Sequence, residues 1–381
     1  MLDSFIRQKS RLSKALGFQS ISHMLDLPGA VEHPDAFLDV FASNLEEPIV
    51  SDSAYLLSDP EGKLWFSLEE GLHALEIMAS DVFDLSLRRE SITSDEWVDQ
   101  SLLSKLSLWD SCGRRLGTLY LDVFHRPNKP LLSALLNIET GFQNQEQVSV
   151  MVSNFTHVLS FRDFQTLLHE FGHFLHSACS KSKYQILAAG RGPLNLLEVP
   201  AALLERFSHC PEYISRVKGA SMPRLETHKR REDQHSHSLR RRIFLSLFDR
   251  CICSEEISEY DEPCHQALFR IASTYSELKD AMDLPYLHSL IQSGHLVSYL
   301  GSYYSYLFSE VFAEKLFQKH FSSAPLNTDG GKKIRENLLS PGIRVHPQKL
   351  LKSIDSSFYE DLAKCIQQYL SIRNNQLIPT D

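Results

Sequence analysis

Apolar residues recur every three or four positions along much of this chain, which is the spacing of helices that bury one face. One such stripe is formed by Leu68, Leu72, Leu75, Ala79 and Val82. A second stripe, near the C-terminus, is formed by Ile354, Phe358, Leu362, Ile366 and Leu370. Each stripe predicts a helix that packs against a core.

Two segments show a different pattern, in which apolar residues occupy alternate positions. These residues are Leu119, Leu121 and Val123 in the first segment, and Val148, Val150 and Val152 in the second. Alternation with a period of two predicts a β-strand of about five residues in each segment. The pattern as a whole therefore predicts a mainly α protein with a small β-sheet.

Composition narrows the class of protein. The chain has 381 residues, 43% hydrophobic and 23% charged, which is typical of globular proteins. Its net charge of −9 provides no basic field, so we expect no nucleic acid partner. The longest uncharged run, residues 284–309, contains five Tyr and is too polar to be a membrane span. The seven scattered cysteines are expected to be reduced thiols of an intracellular protein.

The strongest chemical pattern is HEFGH, which runs from His169 to His173. Histidines four residues apart share one face of a helix, so both can bind the same metal ion. Glu170 lies beside the first histidine and can act as general base toward the attacking water. Ser160 and Asp163 have the spacing of a capping box, which predicts that the helix begins there.

A candidate third ligand lies on the next predicted helix, whose sequence is NLLEVPAALLERF. A carboxylate in so apolar a segment is costly to bury unless a partner such as a metal ion compensates its charge. Glu198 is therefore the predicted third ligand of a zinc site that keeps one position open for water. Glu205, two turns further on, is a competing carboxylate that we expect to lie further from the metal. Pro200 is expected in the first turn, where its missing N–H costs little.

A second group of functional side chains is concentrated in GHLVSYLGSYYSYL, which begins at Gly294. Phenol O–H and imidazole N–H groups can stabilise the tetrahedral oxyanion of peptide hydrolysis. Glycines on either side would let such a loop move when substrate binds. From these residues alone, an aromatic core helix whose hydroxyls find ordinary partners is the favoured interpretation.

Together, these motifs resemble the thimet oligopeptidase family of zinc metallopeptidases in type, order and spacing. The matching segments are LLHEFGHFLHS, GRGPLNLLEVPAALLERF and GHLVSYLGSYYSYLFSE, with looser likeness in RLSKALGF, FSLEEGLHALEIM and LGTLYLDVFHRPNKP. The likeness is greatest to members that trim N-terminal octapeptides from precursors imported into the mitochondrial matrix. It covers most of the chain and is most specific in the middle.

The resemblance implies a zinc metalloendopeptidase with one Zn²⁺ per chain and short or unfolded peptides as substrates. It implies half of a helical clamshell of the zincin type, located in the mitochondrial matrix, with the cytoplasm as the alternative. Tyr303 or Tyr306 would stabilise the oxyanion, together with His295. These three residues and Tyr299 would contact the substrate.

Residues 1–381 would then form one catalytic region. Within it, we expect helices and the small sheet in 1–160, the zinc site in 161–210, and helices with the substrate loop in 211–381. The strand at 148–152 is predicted to pair with an extended substrate by strand addition.

The sequence also departs from the family pattern. Asn195 replaces an Asp that can accept a hydrogen bond from a ligand imidazole, so lower metal affinity or activity is expected. Ser298 replaces a glycine and is expected to stiffen the substrate loop, and Ala201 replaces a serine. The chain begins about where the second half of family members begins, so one wall of their channel would be missing.

Two other functions remain open at this point. The first is a truncated, catalytically impaired homologue that binds zinc or peptides without cleaving them. The second is a different HExxH enzyme that acts on intact proteins. Zinc content and peptide hydrolysis that depends on Glu170 would distinguish the impaired homologue from an active peptidase. Cleavage of large proteins at rates that match those for short peptides would favour the different HExxH enzyme.

Overall fold

The computed structural model describes residues 2–26, 31, 33–43, 64–96, 103–130, 133–188, 191–219, 239, 242–254, 264–274 and 299–375. The chain forms two compact units, each assembled from segments that are separate in the sequence. The first unit comprises Met1–Pro60, Leu225–Val311 and Ser357–Asp381, and the second comprises Glu61–Arg224 and Phe312–Ser356. The predicted functional division at residues 160 and 210 stays a prediction.

The second unit contains all seven described strands, which form a five-stranded sheet and a two-stranded ribbon. The strands are β1 (Phe66–Ser67), β2 (Ser86–Glu90), β3 (Ser104–Trp109), β4 (Arg115–Phe124), β5 (Ala134–Glu139), β6 (Gln147–Phe155) and β7 (Val158–Leu159). The order across the large sheet is β2-β3-β4-β6-β5, with β4 and β6 parallel and the other neighbours antiparallel. The two predicted strands are confirmed as β4 and β6. At ten and nine residues they are longer than expected, because the pairing continues beyond the alternating residues, to Gly117 with Gln147 at one end and Phe124 with Phe155 at the other.

The position of β6 overturns one prediction. Because β6 lies between β4 and β5, both of its edges are already hydrogen-bonded within the sheet. Strand addition requires a free edge, so the prediction that residues 148–152 pair with substrate is wrong. Among the described strands of this sheet, β5 is bonded to β6 alone, and its side chains Leu136 and Ile138 are 49% and 60% exposed.

Helices make up most of the remaining described structure, which confirms the predicted mainly α fold with a small sheet. In chain order they are α1 (Leu2–Ala15), α2 (Ile21–Asp26), α3 (Pro34–Ser43), α4 (Leu68–Ile77), α5 (Phe161–Cys179), α6 (Leu194–Phe207), α7 (Pro211–Lys218), α8 (242–252), α9 (Cys264–Thr274), α10 (Ser305–His320), α11 (Thr328–Ile334), α12 (Pro347–Ile354), α13 (Ser356–Glu360) and α14 (Leu362–Asn375). π-helical turns at Met78–Val82 and Arg335–Leu339 extend α4 and α11, and 3₁₀ turns lie at Gln185–Leu187 and Gly342–Arg344. None of the described helices has both the length and the hydropathy needed to cross a membrane.

The two apolar stripes have different outcomes. The first forms α4 and its π-helical extension, with Leu72, Leu75 and Val82 buried. The second is divided among α12, α13 and α14. The chain leaves helical geometry at Asp355, between α12 and α13, where φ is −151° and ψ is 97°, and again at Asp361, between α13 and α14. Periodicity predicted the buried faces there, but it did not predict the break between helices.

Candidate metal centre

Helix α5 carries the HEFGH segment and is fixed at its start by a capping box. The hydroxyl of Ser160 accepts the backbone N–H of Asp163 at 3.1 Å, and the Asp163 carboxylate accepts the backbone N–H of Ser160 at 2.9 Å. This confirms the predicted start of the helix. The fully buried residues of its apolar face are Phe164, Leu167, Leu168, Phe171 and Leu175. With this face in the core, His169 and His173 are held on the side that meets α6.

The backbones of helices α5 and α6 lie in close contact at Gly172. A Cβ atom at this position would lie 2.6 Å from the Cα of Ala201 and 2.8 Å from the carbonyl oxygen of Pro200. No side chain fits there without moving one of the two backbones. The absence of a side chain at Gly172 therefore allows the carboxylates of α6 to reach the histidines of α5.

The start of α6 differs from the prediction. The helix begins at Leu194, so Pro200 lies in its interior and not in its first turn. The prediction was wrong because the chain already becomes helical directly after Pro193, six residues earlier than the proline suggested. The missing N–H of Pro200 costs one helical hydrogen bond, at the point where α6 packs against Gly172.

Three side-chain atoms converge between the two helices. The Nε2 atoms of His169 and His173 are 3.2 Å apart, and Oε2 of Glu198 lies 3.4 Å from the first and 3.7 Å from the second. Ligands bound at about 2.0–2.1 Å to a tetrahedral ion are separated by roughly 3.3 Å. The three atoms therefore have the mutual spacing of metal ligands. Within the described ranges, no other group of three such side chains meets this geometry.

The Glu198 carboxylate provides a second test of whether a metal fits. Its Oε2 atom is buried and has no hydrogen-bond partner among the described residues. Burial raises the pKa of Glu198 to about 7, although the charge of His169 opposes this shift. A buried carboxylate oxygen without a donor is costly, and a divalent cation would compensate its charge. The donor set therefore fits a metal ion.

Glu205 has a role that sequence reasoning missed. Its Oε1 atom lies 2.6 Å from Nδ1 of His169, on the opposite edge of the ring from Glu198. Burial lowers the pKa of His169, but the hydrogen bond and charge of Glu205 and the charge of Glu198 raise it, to about 10 overall. A carboxylate in this position fixes the ring and makes Nε2 a better ligand. The position of Glu205 two turns after Glu198 was visible in the sequence, but its partner was not.

Glu170 is buried next to the two histidine-bearing turns, and its charge acts on Glu198. Burial raises its pKa, whereas the charge of His169 and a hydrogen bond from the backbone N–H of Leu135 lower it. A carboxylate whose pKa is raised toward neutrality is suited to accept a proton. Leu135 belongs to β5, so this contact links the predicted general base to a strand that, among the described residues, is bonded on one side only. No pattern in the sequence predicted that link.

The far end of β5 is held by the buried side chain of Gln147. Its amide nitrogen donates to Oδ1 of Asn137 at 2.7 Å and to Oγ of Ser149 at 2.8 Å. Its amide oxygen accepts the backbone N–H of Gly141 at 2.9 Å. These bonds fix the edge strand at both the bulge after Asn137 and the following turn.

The predicted substrate-contacting tyrosines belong to the first unit, whereas the residues of the metal centre belong to the second. Tyr299, Tyr303 and Tyr306 form a ring cluster, with centroids 6.2 Å apart for Tyr299 and Tyr306 and 5.2 Å apart for Tyr303 and Tyr306. His295 and Ser298 fall outside the described residues. The roles assigned to these tyrosines and to His295 stay predictions.

Comparison with known proteins gives consistent results. The model of Peptidase family M3 matches residues 48–361. The mitochondrial intermediate peptidases of Arabidopsis thaliana and Mus musculus are each 25% identical to this chain, over 76% of it and 43% of their own length. The mitochondrial intermediate peptidase of Homo sapiens is 23% identical over 93% of this chain and 56% of its own length. The chain thus spans roughly half the length of the curated relatives it matches.

A solved structure shows a similar fold. The crystal structure of an oligoendopeptidase F from Bacillus anthracis str. Ames aligns with a TM-score of 0.59 at 14% sequence identity. The alignment covers 97% of this chain and 62% of that chain. At this identity the likeness concerns the fold alone.

Proposed function

Because the chain belongs to Peptidase family M3, we propose that it is a zinc metalloendopeptidase that hydrolyses peptide bonds in short or unfolded peptides. The observation that carries this proposal is the buried Oε2 atom of Glu198. It has no hydrogen-bond partner among the described residues and lies 3.4 and 3.7 Å from the two histidine nitrogens. A metal ion at this position accounts for all three side chains at once.

His169, His173 and Glu198 would hold one Zn²⁺. When bound there, zinc would lower the pKa of a water molecule and polarise the scissile carbonyl group. Glu170 accepts a proton from the attacking water while the water oxygen bonds to the carbonyl carbon. The same carboxyl group then gives that proton to the leaving amine as the C–N bond breaks. Glu205 keeps the His169 ring in its orientation throughout.

The tyrosines and His295 complete the proposal. Phenol O–H groups of Tyr303 and Tyr306 would donate hydrogen bonds to the oxyanion, and His295 would assist them. Tyr299 would contact the peptide beside the reacting bond. The clustering of the three tyrosine rings supports a shared role, because substrate that contacts one ring is within reach of the next.

We further propose that an extended peptide pairs with the free edge of β5. The N–H of Leu135 in β5 donates to Glu170, so this edge strand lies beside the general base. Pairing along this edge would bring a substrate backbone next to Glu170. The exposed side chains of Leu136 and Ile138 would then contact substrate side chains.

Pairing with β5 predicts a periodic response to N-methylation of the substrate. In a strand, alternate N–H groups point to the same edge, so methyl groups at every second position should interfere. We expect KM to rise roughly 2- to 10-fold at those positions and to change little at the others, as one backbone hydrogen bond is lost. Kinetics on a set of singly N-methylated peptides of one sequence measures this. Equal effects at neighbouring positions would contradict the pairing.

The named relatives are mitochondrial intermediate peptidases, so we propose the mitochondrion as the compartment, and the matrix within it. Trimming of N-terminal octapeptides from imported precursors is the corresponding role. Incubation of the purified chain with a precursor and sequencing of the product N-terminus tests this role.

Metal removal tests the proposed activity. We expect the purified chain to contain about one zinc ion and to cleave a quenched fluorescent peptide. Chelation should lower the rate at least roughly 100-fold, and added Zn²⁺ should restore it, because the metal supplies the activation of water. A folded protein that contains the same cleavage sequence serves as control and should be cleaved much more slowly. Bound zinc without cleavage would instead support the impaired homologue that binds zinc or peptides.

A further inference from the structure

The turn at residues 301–303, between Tyr299 and Tyr306 of the tyrosine cluster, is held by a buried carboxylate of α8. The backbone N–H of Gly301 donates to Oδ1 of Asp249 at 2.8 Å, and the backbone N–H of Tyr303 donates to Oδ2 at 2.9 Å. Each carboxylate oxygen therefore holds one N–H of the turn. Asp249 is completely buried, so solvent does not compete for these bonds.

Arg250, the next residue along α8, holds the same turn through a carbonyl group. One of its guanidinium nitrogens lies 3.3 Å from the carbonyl oxygen of Gly301. The guanidinium is itself fixed by two hydrogen bonds to Asp26, at 2.7 and 2.9 Å, and two to Asp35, at 2.9 and 2.8 Å. Gly301 has a φ of +74°, and a Cβ there would lie 2.9 Å from Cδ1 of Leu25. The backbone of the turn is thus restrained from several directions.

Burying a carboxylate in the core of a protein costs free energy. Burial raises the pKa of Asp249 to about 7, opposed by the N–H groups of Tyr303 and Gly301 and by the charge of Arg250. Apolar side chains of similar volume often stabilise such positions at least as well. The particular contribution of Asp249 is therefore the conformation it imposes on residues 301–303.

That conformation determines where the tyrosines lie. Tyr303 is attached directly to the restrained backbone, and its ring contacts Tyr306 with centroids 5.2 Å apart. A shift of the Tyr303 backbone would therefore move both rings. We propose that Asp249 is a positioning residue for peptide hydrolysis, which acts by fixing the turn from which Tyr303 and Tyr306 extend. This inference rests on the proposed function.

Asp249→Asn is the most direct test, because asparagine keeps the shape of the side chain but presents an NH₂ group to one of the two N–H donors. One of the two bonds to the turn is then lost. We expect kcat for peptide cleavage to fall roughly 10- to 100-fold, as is typical for a small misplacement of groups that act in the transition state. KM should change less than about threefold, and zinc content should be unchanged.

A double-mutant cycle separates positioning from a general structural role. Asp249→Asn is combined with Tyr303→Phe and with Tyr306→Phe. If Asp249 acts through these tyrosines, the combined variants should be no slower than the slower single variant. Losses of kcat that multiply in both combinations would overturn the proposal.

Ser246→Ala serves as the matched control. Ser246 is also fully buried on α8, but its hydroxyl donates to the carbonyl of Arg242 within the same helix. The Ser246→Ala substitution should lower the melting temperature without changing kcat per folded molecule.

If Asp249→Asn does not fold, Arg250→Lys is tested in the same double-mutant cycle, since it loses the contact with the Gly301 carbonyl. Multiplicative losses for that variant would equally overturn the proposal.

The outcomes distinguish this inference from the proposed function. A wild-type chain that contains zinc but shows no cleavage above Glu170→Gln would overturn both. A wild-type chain that cleaves in a Glu170-dependent way, with unchanged kcat in Asp249→Asn, would overturn the positioning role alone.

Discussion

Glu170→Gln is expected to lower kcat for peptide hydrolysis by roughly 10²- to 10⁴-fold, the contribution typical of a general acid–base group. Glutamine has nearly the same shape, and its amide oxygen can still accept the N–H of Leu135, but it cannot take up a proton at neutral pH. Burial raises the pKa of Glu170, which makes the wild-type carboxylate a better proton acceptor than an exposed one. The measurement is kcat and KM on a quenched fluorescent peptide.

Metal content decides how this result is interpreted. Glu170 does not provide any of the three converging ligand atoms, so Glu170→Gln should bind as much zinc per chain as the wild type. Glu212→Gln is the matched control, since Glu212 is an exposed carboxylate in the first turn of α7. It should leave kcat unchanged. Wild-type kcat in Glu170→Gln would exclude Glu170 as the base, and loss of zinc would show that it acts as a ligand or supports one.

Features that depend on neighbouring residues in sequence could be predicted. The start of α5 follows from Ser160 and Asp163, three residues apart, and its buried face follows from helical spacing. The four-residue separation of His169 and His173 is enough to place both rings on one side of the helix. In each case the geometry is set within one or two helical turns, so no distant contact is needed to determine it.

Features that depend on distant partners could not be predicted. Alternation in residues 148–152 identified a strand, but the neighbours of β6 come from segments up to 31 residues away, and only their pairing shows that its edges are occupied. The function of Glu205 depends on a ring of another helix, 2.6 Å away. The carboxylate that accepts the backbone N–H of Gly301 comes from α8, over fifty residues earlier in the chain. Sequence spacing contains no information about which of these contacts form.

Glu198→Leu is expected to change stability in opposite directions with and without zinc. In metal-free protein at pH 8, the buried Oε2 atom has no hydrogen-bond partner among the described residues, and its removal should raise the free energy of unfolding by about 1–3 kcal/mol. With zinc at 100 times its dissociation constant, the free energy of unfolding of the wild type should instead increase by about 2.7 kcal/mol. Glu198→Leu, which lacks the third ligand, should not show this increase. Thermal unfolding with chelator and with zinc measures both effects.

The pH dependence identifies the carboxylate as the cause. Burial raises the pKa of Glu198 to about 7 in the folded chain, above its ordinary value of about 4.3 in the unfolded chain. The folded state therefore binds the extra proton, so metal-free wild type loses stability as pH rises from about 4.3 through 7. The advantage of Glu198→Leu over wild type should accordingly be small at pH 4 and largest at pH 8. Glu198→Gln, which is neutral at every pH, should show the same trend. Equal stabilisation of wild type and Glu198→Leu by zinc would mean that this carboxylate does not bind the metal.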